Sequence, residues 1–412
     1  VIVTSSDNFE VREQTLLTPH GVASIRSFLD WDSQPSIFKH YPHFCYRVPL
    51  CDHPSLQWLR ETRCISDEQR IAHKQYHRLN VPSAGNLHPI EIYVQIRNVA
   101  GLLSGIYHLD ALSDELVMII EIGSEGIEPL LGLDRRFSGC IVMLSLVPFR
   151  SSWKYGLRAW RYLYLDLGHQ IGVLSASVEH FGLHLTKMFT DNLDSLNRLM
   201  GMGEDERIVA LYGVGEMSER PVKLRKEPLM KVQPTDYTIS NDMLVTSVKN
   251  SPLYNDIPTG ILWENFITLN RTRRSAREFY PHAMKDGVIE ALLQRSAPPS
   301  LEVVAILLQA HSMQPGVYRN AQLSTAGNYH TEVVHLLLEQ RFIASATVVL
   351  LIYAEHFGAI THIEAGIYAQ ELYLACEELG IGCSGIGAFY DEEASRWSDN
   401  ALLYAVAIGG KL

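Results

Sequence analysis

Apolar positions between residues 160 and 181 recur in steps of three and four. Trp160, Leu163, Leu167, Ile171, Leu174, Val178 and Phe181 form one stripe, which predicts a long helix. Gly182 predicts its end, because glycine takes the left-handed conformation at helix C-termini. The arrangement returns 198 positions later. Asp166-Leu167-Gly168 becomes Glu364-Ala365-Gly366, and Gly380 closes the second stretch as Gly182 closes the first. Runs of apolar and small residues at 209–215 and 404–410 predict a strand near the end of each half. Gly105-Ile106-Tyr107 is echoed by Gly316-Val317-Tyr318. Landmarks kept in order predict a duplication. We expect two α+β halves, 1–217 and 262–412, joined by a linker at 218–261 that holds Pro221, Pro228, Pro234 and Pro252. Ser324-Thr325-Ala326-Gly327-Asn328-Tyr329-His330 is similar to the stretch from Ser83 to His88. It follows its Gly-x-Tyr landmark, whereas the first-half stretch precedes its own, so the likeness reads as coincidence.

Composition narrows the class. The 412 residues are 47% apolar and 20% charged, enough for ordinary cores in two or three domains. The 28 Gly and 18 Pro are not periodic, which excludes a collagen-like chain. A net charge of −11 argues against nucleic acid as the main partner. The six cysteines form no Cys-x-x-Cys pair and read as buried thiols of a cytoplasmic protein. The longest strongly apolar run, 346–354, is far short of the ~18 residues of a membrane span. Residues 1–4 do not read as a secretory signal, so the expected location is the cytoplasm. His88, His169 and His362 have no close metal-ligand spacing, and no metal is expected.

Chemistry gathers in four places. Arg271-Thr272-Arg273-Arg274-Ser275-Ala276-Arg277 holds four Arg and two hydroxyls in an acidic chain. Guanidinium groups grip phosphate oxygens in pairs, and a hydroxyl adds a neutral donor. The stretch reads as a monophosphate site or as a solvated basic turn. Pro82-Ser83-Ala84-Gly85-Asn86-Leu87-His88-Pro89 is a small-residue loop ahead of the strand Ile90-Glu91-Ile92-Tyr93-Val94. It admits a flat ligand close to backbone N–H groups, or is an ordinary tight turn. Gly380-Ile381-Gly382-Cys383-Ser384-Gly385 contains a GxGxxG string. That string follows a helix instead of a strand, so a dinucleotide fold is rejected and a permissive loop against a planar ligand is expected. Lys154-Tyr155 stands at the expected head of the first long helix, with Arg158 and Arg161 beyond it. The pair can move protons, or is a solvated first turn.

Together these four stretches resemble the nitroreductase superfamily of FMN enzymes, in its branch of tandem-domain azoline dehydrogenases of the streptolysin type. The resemblance implies two nitroreductase-like α+β domains forming a pseudo-dimer within one chain, each a mostly antiparallel sheet flanked by helices. It implies FMN as cofactor. Arg273, Ser275 and Arg277 would hold its phosphate. Pro82, Ser83, Ala84, Gly85 and Asn86 would line its ring, and Gly385, Ile386 and Gly387 resemble the family's Gly-rich stretch nearby. The first half shows no clear Arg-x-Ser-x-Arg. The order-matched Ala297-Pro298-Pro299-Ser300 is no full Pro-Ser-x-x-Asn loop. One composite FMN site per chain is implied. Lys154 and Tyr155 resemble the pair that azoline oxidases place at the reacting carbon. The implied activity is oxidation of a thiazoline or oxazoline, in a peptide or carrier-bound intermediate, to the azole. Oxygen would take the electrons, and partner enzymes of a biosynthetic route are expected. An NAD(P)H-dependent nitro or quinone reductase and a catalytically inactive scaffold stand as alternatives.

Overall fold

The computed structural model describes residues 5–24, 29–71, 74–224, 241–280, 284–310 and 313–411. Pro228 and Pro234 of the expected linker lie outside the described residues. The chain divides into two compact units. The first comprises 31–163 and 173–267; the second comprises 164–172, 268–411 and described residues before 31.

In the first unit, seven strands form the main sheet: β1 (Arg47–Pro49), β2 (Ile90–Arg97), β3 (Gly105–Asp110), β4 (Glu115–Glu121), β5 (Arg135–Leu146), β6 (Thr186–Lys187) and β7 (Arg207–Pro221). Their order is β1-β4-β3-β2-β5-β7-β6, with every neighbouring pair antiparallel. In the second unit, six strands pair in the same manner: β8 (Glu302–Leu307), β9 (Gly316–Arg319), β10 (Gln322–Ala326), β11 (Val348–Ala354), β12 (Ile381–Ile386) and β13 (Ala401–Gly410). Their order is β10-β9-β8-β11-β13-β12. Removing β1 makes the two orders identical, which is the duplication read from the landmarks. Tyr107 and Tyr318 hold equivalent places. Each donates its hydroxyl to the carbonyl four residues earlier, Leu103 or Gln314, at 2.7 Å. Ser324–Ala326 lies in β10, whereas Ser83–His88 precedes β2, so those two stretches are not counterparts.

The central strands are buried on both faces, although one face of β2 carries Glu91, Gln95 and Arg97. All eight residues of β2 and all seven of β11 are buried; β11 is the continuous apolar run expected of a strand covered on both faces. Each unit has its own core. Tyr93, Ile141, Leu196 and Leu211 belong to the first; Val304, Val349, Phe389 and Trp397 belong to the second. The predicted long helix is α2 (Ala159–His180), preceded by the short α1 (Pro148–Tyr155); its repeat is α4 (Ala359–Glu378). Gly182 and Gly380 both take φ +67° after the last turn. At the first of these ends Leu183 N–H reaches Val178 O and Gly182 N–H reaches Glu179 O, satisfying carbonyls the helix leaves open.

Three expectations change. Lys154 and Tyr155 close α1 and do not open α2; Gly156, at φ +54°, separates the two helices. The GxGxxG run is mostly strand β12 and not a loop. The expected linker is partly folded: Asn241 caps a helix at Asp242–Lys249 through Leu244 N–H, and Tyr254 N–H bonds Val209 O at 2.8 Å.

Candidate functional site

The loop ahead of β2 is held from below by buried charge. Glu91, the one acid in an apolar strand, is 1% exposed. Arg150 of α1 meets it at 2.5 Å, Arg63 at 3.9 Å, and His108 Nε2 at 2.9 Å. Burial pushes the Glu91 carboxyl up, but Arg150, Arg63 and His108 outweigh that and hold it well below the usual carboxylate range. The same guanidinium groups fasten the loop. Arg150 donates to His88 O at 2.9 Å, and Arg63 to Ile90 O at 2.6 Å. Within the loop, Ser83 Oγ accepts His88 N–H and Asn86 Nδ2 donates to His77 O. Pro82 is buried; Ser83, Ala84 and Asn86 are half-buried; Gly85 is exposed at φ +65°.

Arg150 lies one turn before Lys154, so the anchor of the loop also positions the Lys-Tyr pair. The Tyr155 hydroxyl is 2.6 Å, and the Lys154 Nζ 3.3 Å, from where a Cβ on Gly85 would stand. The pair therefore meets the loop at Gly85, whose φ of +65° and close side-chain neighbours both favour glycine. Arg158 and Arg161, beyond the pair, are buried; Arg158 donates to the Tyr162 hydroxyl at 3.1 Å.

In the second unit the Arg-rich stretch follows the helix α3 (Phe266–Thr272) and runs beside β12. Ser275 bridges Cys383, and Ala276 N–H bonds Cys383 O at 2.8 Å. Arg273 is 4% exposed and lies 5.1 Å from the centre of the Tyr373 ring. Burial draws its guanidinium down from the usual arginine range, and Tyr373 partly offsets that. The Tyr373 hydroxyl accepts Gly385 N–H at 2.7 Å and contacts Ser275 Oγ at 2.9 Å. Either hydroxyl can be the donor in that contact, so Tyr373 ties Ser275 to the backbone of Gly385. Arg277 stands apart, exposed over the Phe342 ring.

The structure thus gathers Arg273, Ser275 and Gly385 at Tyr373. Ile386 turns its side chain into the core, leaving only backbone for a ligand, and Gly387 is half-buried. Gly385 is glycine because a Cβ would lie 2.0 Å from the Tyr404 hydroxyl. His169 sits beneath, between Gln370 Oε1 at 3.1 Å and the Tyr404 hydroxyl at 3.2 Å. Burial draws it down to about 3, so it is neutral, with Nδ1–H donating to Gln370 and Nε2 accepting from Tyr404. Tyr373 and Arg150 were missed by sequence reasoning. Glu91 within an apolar strand was a signal for the second: a buried acid requires cations.

Among the described residues no three His, Cys, Asp or Glu gather as metal ligands, and no helix is long and apolar enough to cross a membrane. The family model described as the nitroreductase family matches residues 59–216 and 271–409. A nitroreductase-like protein of Methanocaldococcus jannaschii is 32% identical over 92 residues, 22% of this chain and 46% of that protein; the match thus spans about half of that relative's length. A solved nitroreductase-like structure from Anabaena variabilis matches 98% of this chain and 99% of its own, at 22% identity and a TM-score of 0.78, which shows the shared fold. A chain of the E. coli microcin synthetase complex, solved with truncated pro-MccB17 bound, overlaps 51% of this chain and 87% of its own, at 14% identity and a TM-score of 0.32.

Proposed function

The chain belongs to the nitroreductase family, whose enzymes are FMN-dependent oxidoreductases, and from that premise we propose an FMN-dependent oxidase that converts an azoline in a peptide or carrier-bound intermediate to the azole. The donor set fits FMN. A buried guanidinium, a serine hydroxyl and the neighbouring Arg274 supply the charge and donors a phosphate monoester needs. Arg273 and Ser275 would hold the phosphate, with Arg277 contributing from the surface, and Gly385–Gly387 would border the flavin through backbone. Pro82, Ser83, Ala84, Gly85 and Asn86 would face its ring. FMN, when bound, would supply the redox chemistry, as a hydride acceptor whose electrons dioxygen could take.

The chain's own residues handle the proton. Aromatising an azoline removes a hydride from one ring carbon and a proton from its neighbour. Lys154 or Tyr155 takes that proton; the other member holds the acceptor by charge or hydrogen bond. The observation that carries this reading is the meeting of the Tyr155 hydroxyl and the Lys154 amine at the Gly85 turn. Partner enzymes that form the azoline belong to the same proposal.

The test is anaerobic bleaching of the flavin. An azoline-bearing peptide should bleach the parent protein. Lys154→Ala and Tyr155→Phe should slow that step by about 10²–10⁴, the usual worth of a positioned acid or base, with FMN retained. Variants that bleach at the parent rate would remove the pair from the chemistry. Rapid bleaching by NAD(P)H, with electrons passed to a nitroaromatic or quinone, would assign the protein to the reductases instead.

A further inference from the structure

Trp31 is 52% exposed, within a single turn of 3-10 helix at Trp31–Ser33. It is nevertheless fixed in place. Its ring stands edge-on to Trp153 at 5.8 Å between centroids, and Trp153 Nε1–H donates to Ser33 Oγ at 2.9 Å. Lys154 Nζ lies 5.5 Å from the Trp31 ring centre and 5.3 Å from that of Tyr155. The ammonium is therefore bracketed by two aromatic rings. Tyr155 is braced in turn by Tyr162, edge-on at 4.7 Å. An indole packed edge-on to a neighbouring ring with half its surface exposed, beside a proton-transfer pair and the Gly85 turn, is arranged as a wall of a ligand site.

We infer that Trp31 is the stacking wall for the substrate's five-membered ring and sets the preference for flat heterocycles. The identity of that ring rests on the oxidase reading above. The physical argument is that an azoline is puckered and an azole is flat and aromatic. Stacking on the indole therefore strengthens as the two hydrogens leave, and an interaction that grows along the reaction favours the transition state over the bound substrate. The Lys154 ammonium supports the same ligand from the side, donating a hydrogen bond to a neighbouring peptide carbonyl.

The experiment uses the flavin-loaded protein with Trp31→Leu, which keeps apolar bulk without a ring face, and Trp31→Phe, which restores one. A thiazole-bearing peptide and its uncyclised cysteine counterpart are titrated against the flavin absorbance. Trp31→Leu should weaken the thiazole peptide at least tenfold, Trp31→Phe should remain within a few-fold of the parent, and the uncyclised peptide should not distinguish the three. Equal affinity of Trp31→Leu and parent for the thiazole peptide, or equal loss of both peptides, overturns the inference. A parent protein that neither binds the thiazole peptide nor is bleached by an azoline overturns the oxidase reading itself. Trp31 is then judged on the reduction of a flat nitroaromatic by NADPH. A tenfold higher KM in Trp31→Leu at unchanged kcat, rescued by Phe, sustains the wall, and an unchanged KM removes it.

Discussion

A guanidinium with 4% exposure is costly unless other groups share its charge. Arg273 lies against the Tyr373 ring, beside Ser275, where the proposed phosphate would add a charge-assisted contact. Replacing Arg273 by Ala should therefore lower FMN affinity at least tenfold, a loss of about 2 kcal/mol for a charge-assisted contact, with the fold intact by circular dichroism. An unchanged dissociation constant would return the stretch to a basic turn. Glu371 of α4 tests electrostatics away from the flavin. Burial pushes its carboxyl up to about 7, with Arg295 opposing. The folded chain then holds a proton that the unfolded chain releases near the ordinary glutamate value, so the group favours folding least at high pH. Stability is lost as pH rises from about 4.5 to about 7. Glu371→Gln should raise stability at pH 8 by on the order of 1–3 kcal/mol and leave it unchanged near pH 4, read by chemical denaturation. The arginine cluster was legible because four Arg are conspicuous in an acidic chain. Tyr373 was not, because one tyrosine in an apolar helix carries no sign of what its hydroxyl will meet.

Element by element, the helices were easier to read than the strands. The α2 stripe and both terminal glycines express local rules, and local rules survive folding. The run 380–387 was misread because glycine weakens a strand in isolation. The pairing of β12 with β13 overrides that preference, and aromatic rings fill the space the glycines leave. A Cβ on Gly382 or Gly409, which are cross-strand partners, would stand 3.2 Å and 2.8 Å from Phe279. The Gly-x motif of the duplicated helices has a similar cause. In the second unit a Cβ on Gly168 would lie 2.1 Å from Ile363 O, and one on Gly366 would lie 2.3 Å from Leu165 O. Helix propensity alone favours alanine at both. Gly168→Ala should nevertheless lower stability by about 1–3 kcal/mol, because backbone cannot yield that far. Gly287→Ala, in the helix Asp286–Leu293 with open space around it, should be neutral or stabilising by up to about 1 kcal/mol. Thermal melts of the pair give opposite signs if close packing is the reason for Gly168, and the same sign if it is not.

At the scale of the whole molecule, the duplication explains what each half kept. Glu91 and Glu302 occupy the same place in the two sheets, each paired from the adjoining strand: Glu91 by His108 and Glu302 by Arg319. The chemistry around them has diverged. The first half keeps a Ser83–Asn86 loop meeting Lys154 and Tyr155, whereas the corresponding 294–301 carries no such pair. Conversely, Arg273 and Ser275 belong to the second half. The first half's Arg63 also follows a short helix, at Gln57–Arg60, but its guanidinium is engaged by Glu91 and the carbonyls of Ile90 and Ile37. The difference between the motifs of the two halves was legible in the sequence. The engagement of Arg63 was not, since it depends on a strand 27 residues away. Among the described residues each donor set occurs once, so we predict one FMN per chain. Flavin released by heat from protein saturated with FMN should be FMN, not FAD, at a ratio near one. Arg273→Ala should lower occupancy at limiting FMN, whereas Arg63→Lys, which alters a guanidinium committed to Glu91, should alter stability and leave the ratio near one. Two flavins per chain would mean that the first half retains a phosphate grip despite Arg63, and the argument from complementary loss would fail.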